Sequence, residues 1–292
     1  MHISNFISIV TKSRDEKMNT WQKILLSGVV VLAFFLGLEG LCWVLLPTDI
    51  YQGDIGYFWK LRANLDYLVD KPEYKFQLHT NSLGYRDTEI DEQSPKWLFL
   101  GCSTTLGWGV EEEETFVELL EAEMSIQAIN AGQPGWSTQQ ALLNIEEFKN
   151  IEADVVVIGF GVRDAQWSNR EDKDSAPRSW MTQRNIFRWL GSRKSSSTVP
   201  QTEQVHRVSV VDFQQNLAQL IAAFPSAKVL VYAFPQVQMA EEYLEAIRSV
   251  GGVVVTGFSQ EDFFAGDPIH ITPQGHTKLR TWFTEYLQNH PL

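Results

Sequence analysis

Three observations predict an α/β protein whose chain is preceded by a single membrane-spanning helix. Short, near-continuous runs of Val, Ile and Leu recur along the sequence. Amphipathic helical stretches alternate with them, and one long apolar segment lies near the N-terminus. Strands that are apolar on both faces and alternate with helices describe a parallel sheet covered on each side. The fold class is therefore a three-layer α/β/α sandwich with a five-stranded parallel sheet.

The apolar segment comes first. Ile24 to Leu46 is 23 residues long with a single charge, Glu39. At about 1.5 Å rise per residue it crosses a ~30 Å hydrocarbon layer. A signal peptide has a shorter core and a small-residue cleavage site, and no such site precedes Pro47. Leu41 before Cys42 makes a poor lipoprotein box. An acid towards one end of a span is tolerated. Lys12, Arg14, Lys17 and Lys23 precede the span, and Asp49 and Asp54 follow it. The positive-inside bias makes residues 1–23 a cytoplasmic tail and places everything after Pro47 outside. Met18 is an alternative start, because "MNTWQK" alone is an adequate flank.

Residues 47–95 read as an irregular, aromatic-rich lead-in with a turn at "TNSLGYRD", Thr80 to Asp87. The regular pattern fills residues 96–292. Strands are predicted at Trp97–Gly101, Ala128–Asn130, Asp154–Phe160, Lys228–Phe234 and Gly252–Thr256. Helices are predicted at Thr115–Met124, Thr138–Lys149, Val211–Ala223 and Met239–Val250. Glu111 to Glu114 suit a solvated helix start better than a metal site, since four consecutive side chains diverge. Residues 168–208 interrupt the rhythm with two polar flanks around "WMTQRNIFRWL". From Arg178 to Lys194 that insertion carries five basic residues and no acid. It is either a surface loop with a packed helix, or a lid or contact to a membrane or an anionic glycan.

Composition narrows the function classes. The 292 residues carry a net charge of −12, which argues against a nucleic-acid partner. Cys42 and Cys102 are the only cysteines, and no CxxC or clustered Cys/His spacing suggests a metal site or other cofactor.

Ligands of open parallel sheets bind beyond the carboxyl ends of the strands, so the residues that follow each strand hold the chemistry. Ser103 follows the first strand, and Gly132 and Gly135 follow the second. Arg163 and Asp164 follow the third, and Asp267, His270 and His276 come after the fifth. A hydroxyl, an imidazole and a carboxylate are what acyl transfer needs: nucleophile, base and orienting group. Glycine turns let backbone N–H groups approach an oxyanion closely. Asp267 and His270 are three apart on a turn tightened by Pro268. His276 falls in the first turn of a helix opened by Thr272 and Pro273, which favours a structural role. His79, His206 and His290 carry no partner signal and are expected at the surface. Trp108 and Trp136 line a pocket or pack in the core.

These blocks resemble those of the SGNH hydrolases, the GDSL-type esterases and lipases. "GCSTTLGWG" is similar to the serine block, where the family more often has Gly-Asp-Ser, and "NAGQPGWST" to the glycine block. "DPIH" followed by "ITPQGH" is similar to the last block. "NSLGYRD" and "RVSVVDFQQNL" resemble segments of membrane-anchored members. The resemblance runs from about Thr80 to the C-terminus and implies a flavodoxin-like SGNH fold. It implies Ser103 as nucleophile, His270 as base and Asp267 as orienting acid. The oxyanion hole would be formed by Ser103, Gly135 and the third-block residue. That block reads "GVRD" where the family has Gly-x-Asn-Asp, so Arg163 stands in place of the asparagine amide. Arginine there reaches the oxyanion, pairs with Asp164, or binds an anionic substrate group.

Two functions follow. One is a membrane-anchored serine esterase that hydrolyses or transfers acyl groups, acetyl among them, on cell-envelope or exported glycans or lipids. The other is a catalytically impaired SGNH-like binding module, to which Arg163 points.

Overall fold

The computed structural model describes residues 19–45, 50–52, 59–91, 94–174, 204–234 and 239–291. It divides into two compact units, one holding the apolar helix and the other holding what is described from residue 50 onwards. The expected cytoplasmic tail, apart from its last residues, and most of the insertion lie outside the described residues.

The first unit contains helix α1, Thr20–Leu45. Its mean hydropathy over Thr20–Leu41 is 2.3. It is apolar on every face, as a helix surrounded by hydrocarbon is, and long enough to cross a membrane. A signal sequence near an N-terminus meets the same measure.

The second unit is built on a five-stranded parallel sheet. Its strands are β1 (Lys96–Gly101), β2 (Gln127–Asn130), β3 (Val155–Gly159), β4 (Lys228–Ala233) and β5 (Val253–Val254). Their spatial order is β5-β4-β3-β1-β2. Leu98 lies beside Val156 and Ile129, and Leu230 beside Val157. Successive side chains point to opposite faces, so one strand feeds two cores. Leu98, Leu100, Val156 and Ile158 pack with Phe213, Leu217 and Ile247. Phe99 and Val157 pack with Phe116, Leu279 and Phe283.

Helix α2 is Ser103–Leu106 and α3 is Phe116–Met124. The helix predicted at 138–149 is two, α4 (Thr138–Leu143) and α5 (Ile145–Lys149). Asn144 interrupts them at φ −106°, ψ 13°, with its amide donating back to the Gln140 carbonyl. Short polar side chains offer the backbone such alternatives to the helical ladder. α6 (Val210–Ala222) and α7 (Glu241–Ser249) follow, and α8 is Pro273–Asn289, capped by Thr272.

The lead-in is more ordered than its sequence suggested. It forms two antiparallel hairpins, 51–52 with 60–61 and 66–70 with 75–79. The signal is the alternation of Phe76 and Leu78, which buries one face of the second hairpin with Val69, Leu61 and Leu106. The insertion is tied at its base, where Trp167–Ser168 pairs with Val205–His206.

Candidate active site

β1 delivers the serine. Cys102 is extended and caps α2, and Ser103 is its first residue, so the Ser103 N–H has no partner within the helix. The turn needs glycine: a Cβ on Gly101 would sit 2.0 Å from Thr105 Oγ1 and 2.9 Å from the Gly159 carbonyl. Cys102 is a free, buried thiol 3.1 Å from Thr104 Oγ1.

Asp267 and His270 come from the strand Asp267–Ile271, which pairs with Phe263–Phe264. Asp267 Oδ2 is 2.6 Å from His270 Nδ1, and His270 Nε2 is 2.9 Å from Ser103 Oγ. Asp267 Oδ1 accepts the backbone N–H groups of Ile269 and His270 at 3.1 and 3.3 Å. Partial burial pushes this carboxyl up, but the His270 ring and the two N–H groups outweigh it and hold it at about 2. An ionised Asp267 accepts a hydrogen bond from Nδ1–H, and in that tautomer Nε2 is free to accept from the serine hydroxyl.

His276, six residues on, does not join them. It is buried, stacked 6.0 Å from Phe116, and its Nδ1 accepts the Phe116 N–H at 3.1 Å. Burial first, then the positive fields of Arg86 and His270, lower it to about 3.

The second strand end brings Gly135, at φ +77°. The third brings Arg163, whose Nη1 donates to Gln166 Oε1 at 3.2 Å and whose buried Nε has no acceptor among the described residues. Of the three roles for Arg163, pairing with Asp164 is not what forms. Asp164 is fully buried and turned inwards, accepting from Thr138 N and Oγ1 and from Gly161 N. Burial raises its carboxyl, against those hydrogen bonds and the charge of Arg207.

Ser103, His270, Gly135 and Arg163 line one cavity of about 560 Å³. Sequence reasoning missed Tyr51, Trp59 and Tyr74 on the same walls, and it quoted Arg207 at the head of "RVSVVDFQQNL" without placing it at the site. Tyr74 packs edge-on to His270 and accepts from Trp108 Nε1 at 2.9 Å. Trp108 therefore lines the cavity, while Trp136 is buried in the core. Arg207 is neutralised by Asp172 at 2.8 Å. His206, expected at the surface, is half-buried under Trp167, with its Nδ1 2.7 Å from the Ala165 carbonyl oxygen.

Arg86 and Asp87 of "NSLGYRD" stand behind the site. The buried Arg86 guanidinium donates to the carbonyls of Gly107 and Val110 at 2.7 Å, which fixes the loop leaving α2. Burial lowers it to about 10, against the field of nearby acids such as Glu112. Asp87 accepts the Asn130 N–H at 3.0 Å, at the end of β2. Among the described residues no cluster of three or more His, Cys, Asp or Glu could hold a metal ion.

No curated protein matches the chain. Solved structures that resemble it do so at low identity. A protein of the G-D-S-L family from Desulfitobacterium hafniense DCB-2 is 12% identical, with TM-score 0.45 and coverage of 65% of this chain and 98% of that one. An alpha/beta hydrolase from the metagenome of Lake Arreo is 14% identical, with TM-score 0.43 and coverage of 67% and 95%. A family two carbohydrate esterase from Clostridium thermocellum is 11% identical, with TM-score 0.43 and coverage of 69% and 66%. Residues 99–278 match a family model, and that span is well over half of the chain. By that match the chain belongs to the GDSL-like lipase/acylhydrolase family and is an ester hydrolase.

Proposed function

We propose that the chain is a membrane-anchored serine esterase that cleaves or transfers acyl groups, including acetyl, on cell-envelope or exported glycans or lipids. The observation that carries this reading is the unbroken hydrogen-bonded relay from Ser103 Oγ through His270 to Asp267 on the wall of an open cavity. Ser103 Oγ attacks the ester carbonyl carbon while His270 Nε2 takes its proton. The negative charge that develops on the carbonyl oxygen is met by the N–H groups of Ser103 and Gly135 and by the Arg163 guanidinium. His270 then returns the proton to the leaving alcohol as the C–O bond breaks, leaving an acyl-serine. A water, or an acceptor hydroxyl in transfer, repeats the sequence, with His270 again taking its proton. Asp267 stays ionised throughout and steadies the imidazolium.

In this reading α1 is the anchor, with its N-terminal side in the cytoplasm and the catalytic unit outside. The basic flank of Lys12, Arg14, Lys17 and Lys23 supports that orientation. The second reading, an impaired binding module, draws on Arg163 standing where an asparagine amide is expected.

One experiment separates these readings. A charged, membrane-impermeant fluorophosphonate is added to right-side-out vesicles that carry the full chain, and the labelled residue is identified. Labelling of Ser103 from outside, lost in Ser103→Ala, is the expected result. Labelling only after the vesicles are opened overturns the orientation. A folded chain that never labels overturns the enzyme and leaves the binding module.

A further inference from the structure

The segment Gln133–Trp136 is a β-turn closed by the Trp136 N–H on the Gln133 carbonyl at 3.2 Å. Pro134 holds its second position and Gly135 its third, at φ +77°, which makes it type II. Such a turn has a close competitor. Rotating the central peptide unit by about 150–170° gives a type I turn, and glycine at the third position permits both. That unit is the one that carries the Pro134 carbonyl and the Gly135 N–H. Among the described residues the Gly135 N–H has no acceptor of its own to hold it.

The Pro134 carbonyl is held. Trp59 Nε1 donates to it at 2.7 Å, from the lead-in 75 residues earlier. The Trp59 carbonyl in turn accepts from Trp136 Nε1 at 2.7 Å. The indole also lies over Gly135, close enough that a Cβ there would be 3.1 Å from Trp59 Cζ2. The next peptide is secured too, because Arg207 Nη1 donates to the Gly135 carbonyl at 2.7 Å. In a planar trans peptide the C=O and N–H point in opposite directions. Fixing the Pro134 oxygen therefore fixes the direction of the Gly135 N–H. A donor on the carbonyl also polarises the unit and makes its N–H a stronger donor.

We propose that Trp59 is a positioning residue for catalysis: its indole N–H locks the Pro134–Gly135 peptide in the orientation that offers the Gly135 N–H to the oxyanion. The inference rests on Gly135 being an oxyanion donor, as in the reading above. It makes the lead-in part of the catalytic apparatus rather than a spacer.

The test is Trp59→Phe in the full chain, which keeps an aromatic ring over Gly135 and removes the N–H. With para-nitrophenyl acetate, kcat should fall about tenfold or more while KM changes by no more than about two- to threefold. The ceiling is the ~10²–10³ typical of one lost oxyanion donor. The rate of fluorophosphonate labelling at Ser103 should fall in step, and the melting temperature should stay within a few degrees. Trp59→His, whose ring can supply an N–H, should recover part of kcat, and it serves as the second variant should Trp59→Phe not fold. An unchanged kcat in Trp59→Phe overturns the inference, as does a loss explained wholly by a smaller folded fraction. A wild-type chain that neither turns over the ester nor labels overturns the esterase reading instead.

Discussion

The strand that ends at Ile271 and the helix that begins at Pro273 each carry a histidine, six residues apart, and the two side chains have opposite surroundings. His270 stands between a carboxylate and a hydroxyl on a cavity wall. His276 stands between Phe116 and the core, with a backbone N–H as its hydrogen-bond partner. In the proposed reading the same imidazole is a proton carrier in one place, and in the other it is a neutral packing element. The difference lies in what faces the ring rather than in the histidine itself.

The largest expected effect tests that contrast directly. Ser103→Ala and His270→Ala should each lower ester turnover by ~10⁵-fold or more, and the double variant should lose little further, because such groups act as a unit. His276→Gln should keep turnover within a few-fold of wild type. If His276→Gln lost activity and His270→Ala kept it, the two roles would be exchanged.

The second test makes His270 resemble His276 by removing its acid. Asp267→Asn keeps the shape but cannot accept the Nδ1 proton as a carboxylate does. Turnover should fall by ~10³–10⁴, with a melting temperature close to wild type. A loss below tenfold would mean that backbone and packing alone orient His270. Since Asp267 titrates at about 2, it stays ionised across the neutral range, and its own titration should leave no mark on the activity profile above about pH 4.

The smallest effect concerns stability. An unfolded histidine titrates near pH 6.5, whereas His276 stays neutral down to about 3. Between those values the unfolded chain binds a proton that the folded chain refuses. The contribution of neutral His276 is therefore whole above pH ~6.5 and is lost as the pH falls towards 3. His276→Gln, which can still accept the Phe116 N–H, should cost about 1 kcal/mol at neutral pH. It should also flatten the fall in unfolding free energy between pH 6.5 and 4, measured by denaturant titration. An acid limb identical to wild type would show that His276 is not the group that titrates.

The sequence made the sheet and the relay readable for a common reason. Strands such as "VVVIG" are buried on both faces and show as unbroken apolar runs, and the rule of strand ends then points at Ser103, Arg163 and His270. The Asp-x-x-His spacing is local, so the pair could be read without knowing the fold. Trp59 gave no such signal, and Arg207 gave only its place at the head of "RVSVVDFQQNL", with no role attached. Each acts through one hydrogen bond to a carbonyl in the Pro134–Gly135 turn, more than 70 residues away in sequence. A carbonyl leaves no trace in the identity of the residue that bears it. The first hairpin of the lead-in was hidden by its brevity and the second by the polar residues on its exposed face, and the break at Asn144 by a helical period that continues on both sides of it.

The hydrogen bond between Ser103 and His270 joins residues 167 apart. Contacts of such separation close late, because the loop between them must first give up its freedom. A chain made from its N-terminus presents Ser103 long before His270 exists, and a bare serine hydroxyl is a poor nucleophile. With Ser103 as the proposed nucleophile, the reactive centre is timed by synthesis itself: the hydroxyl stays inert until nearly the last element, the strand before α8, has taken its place.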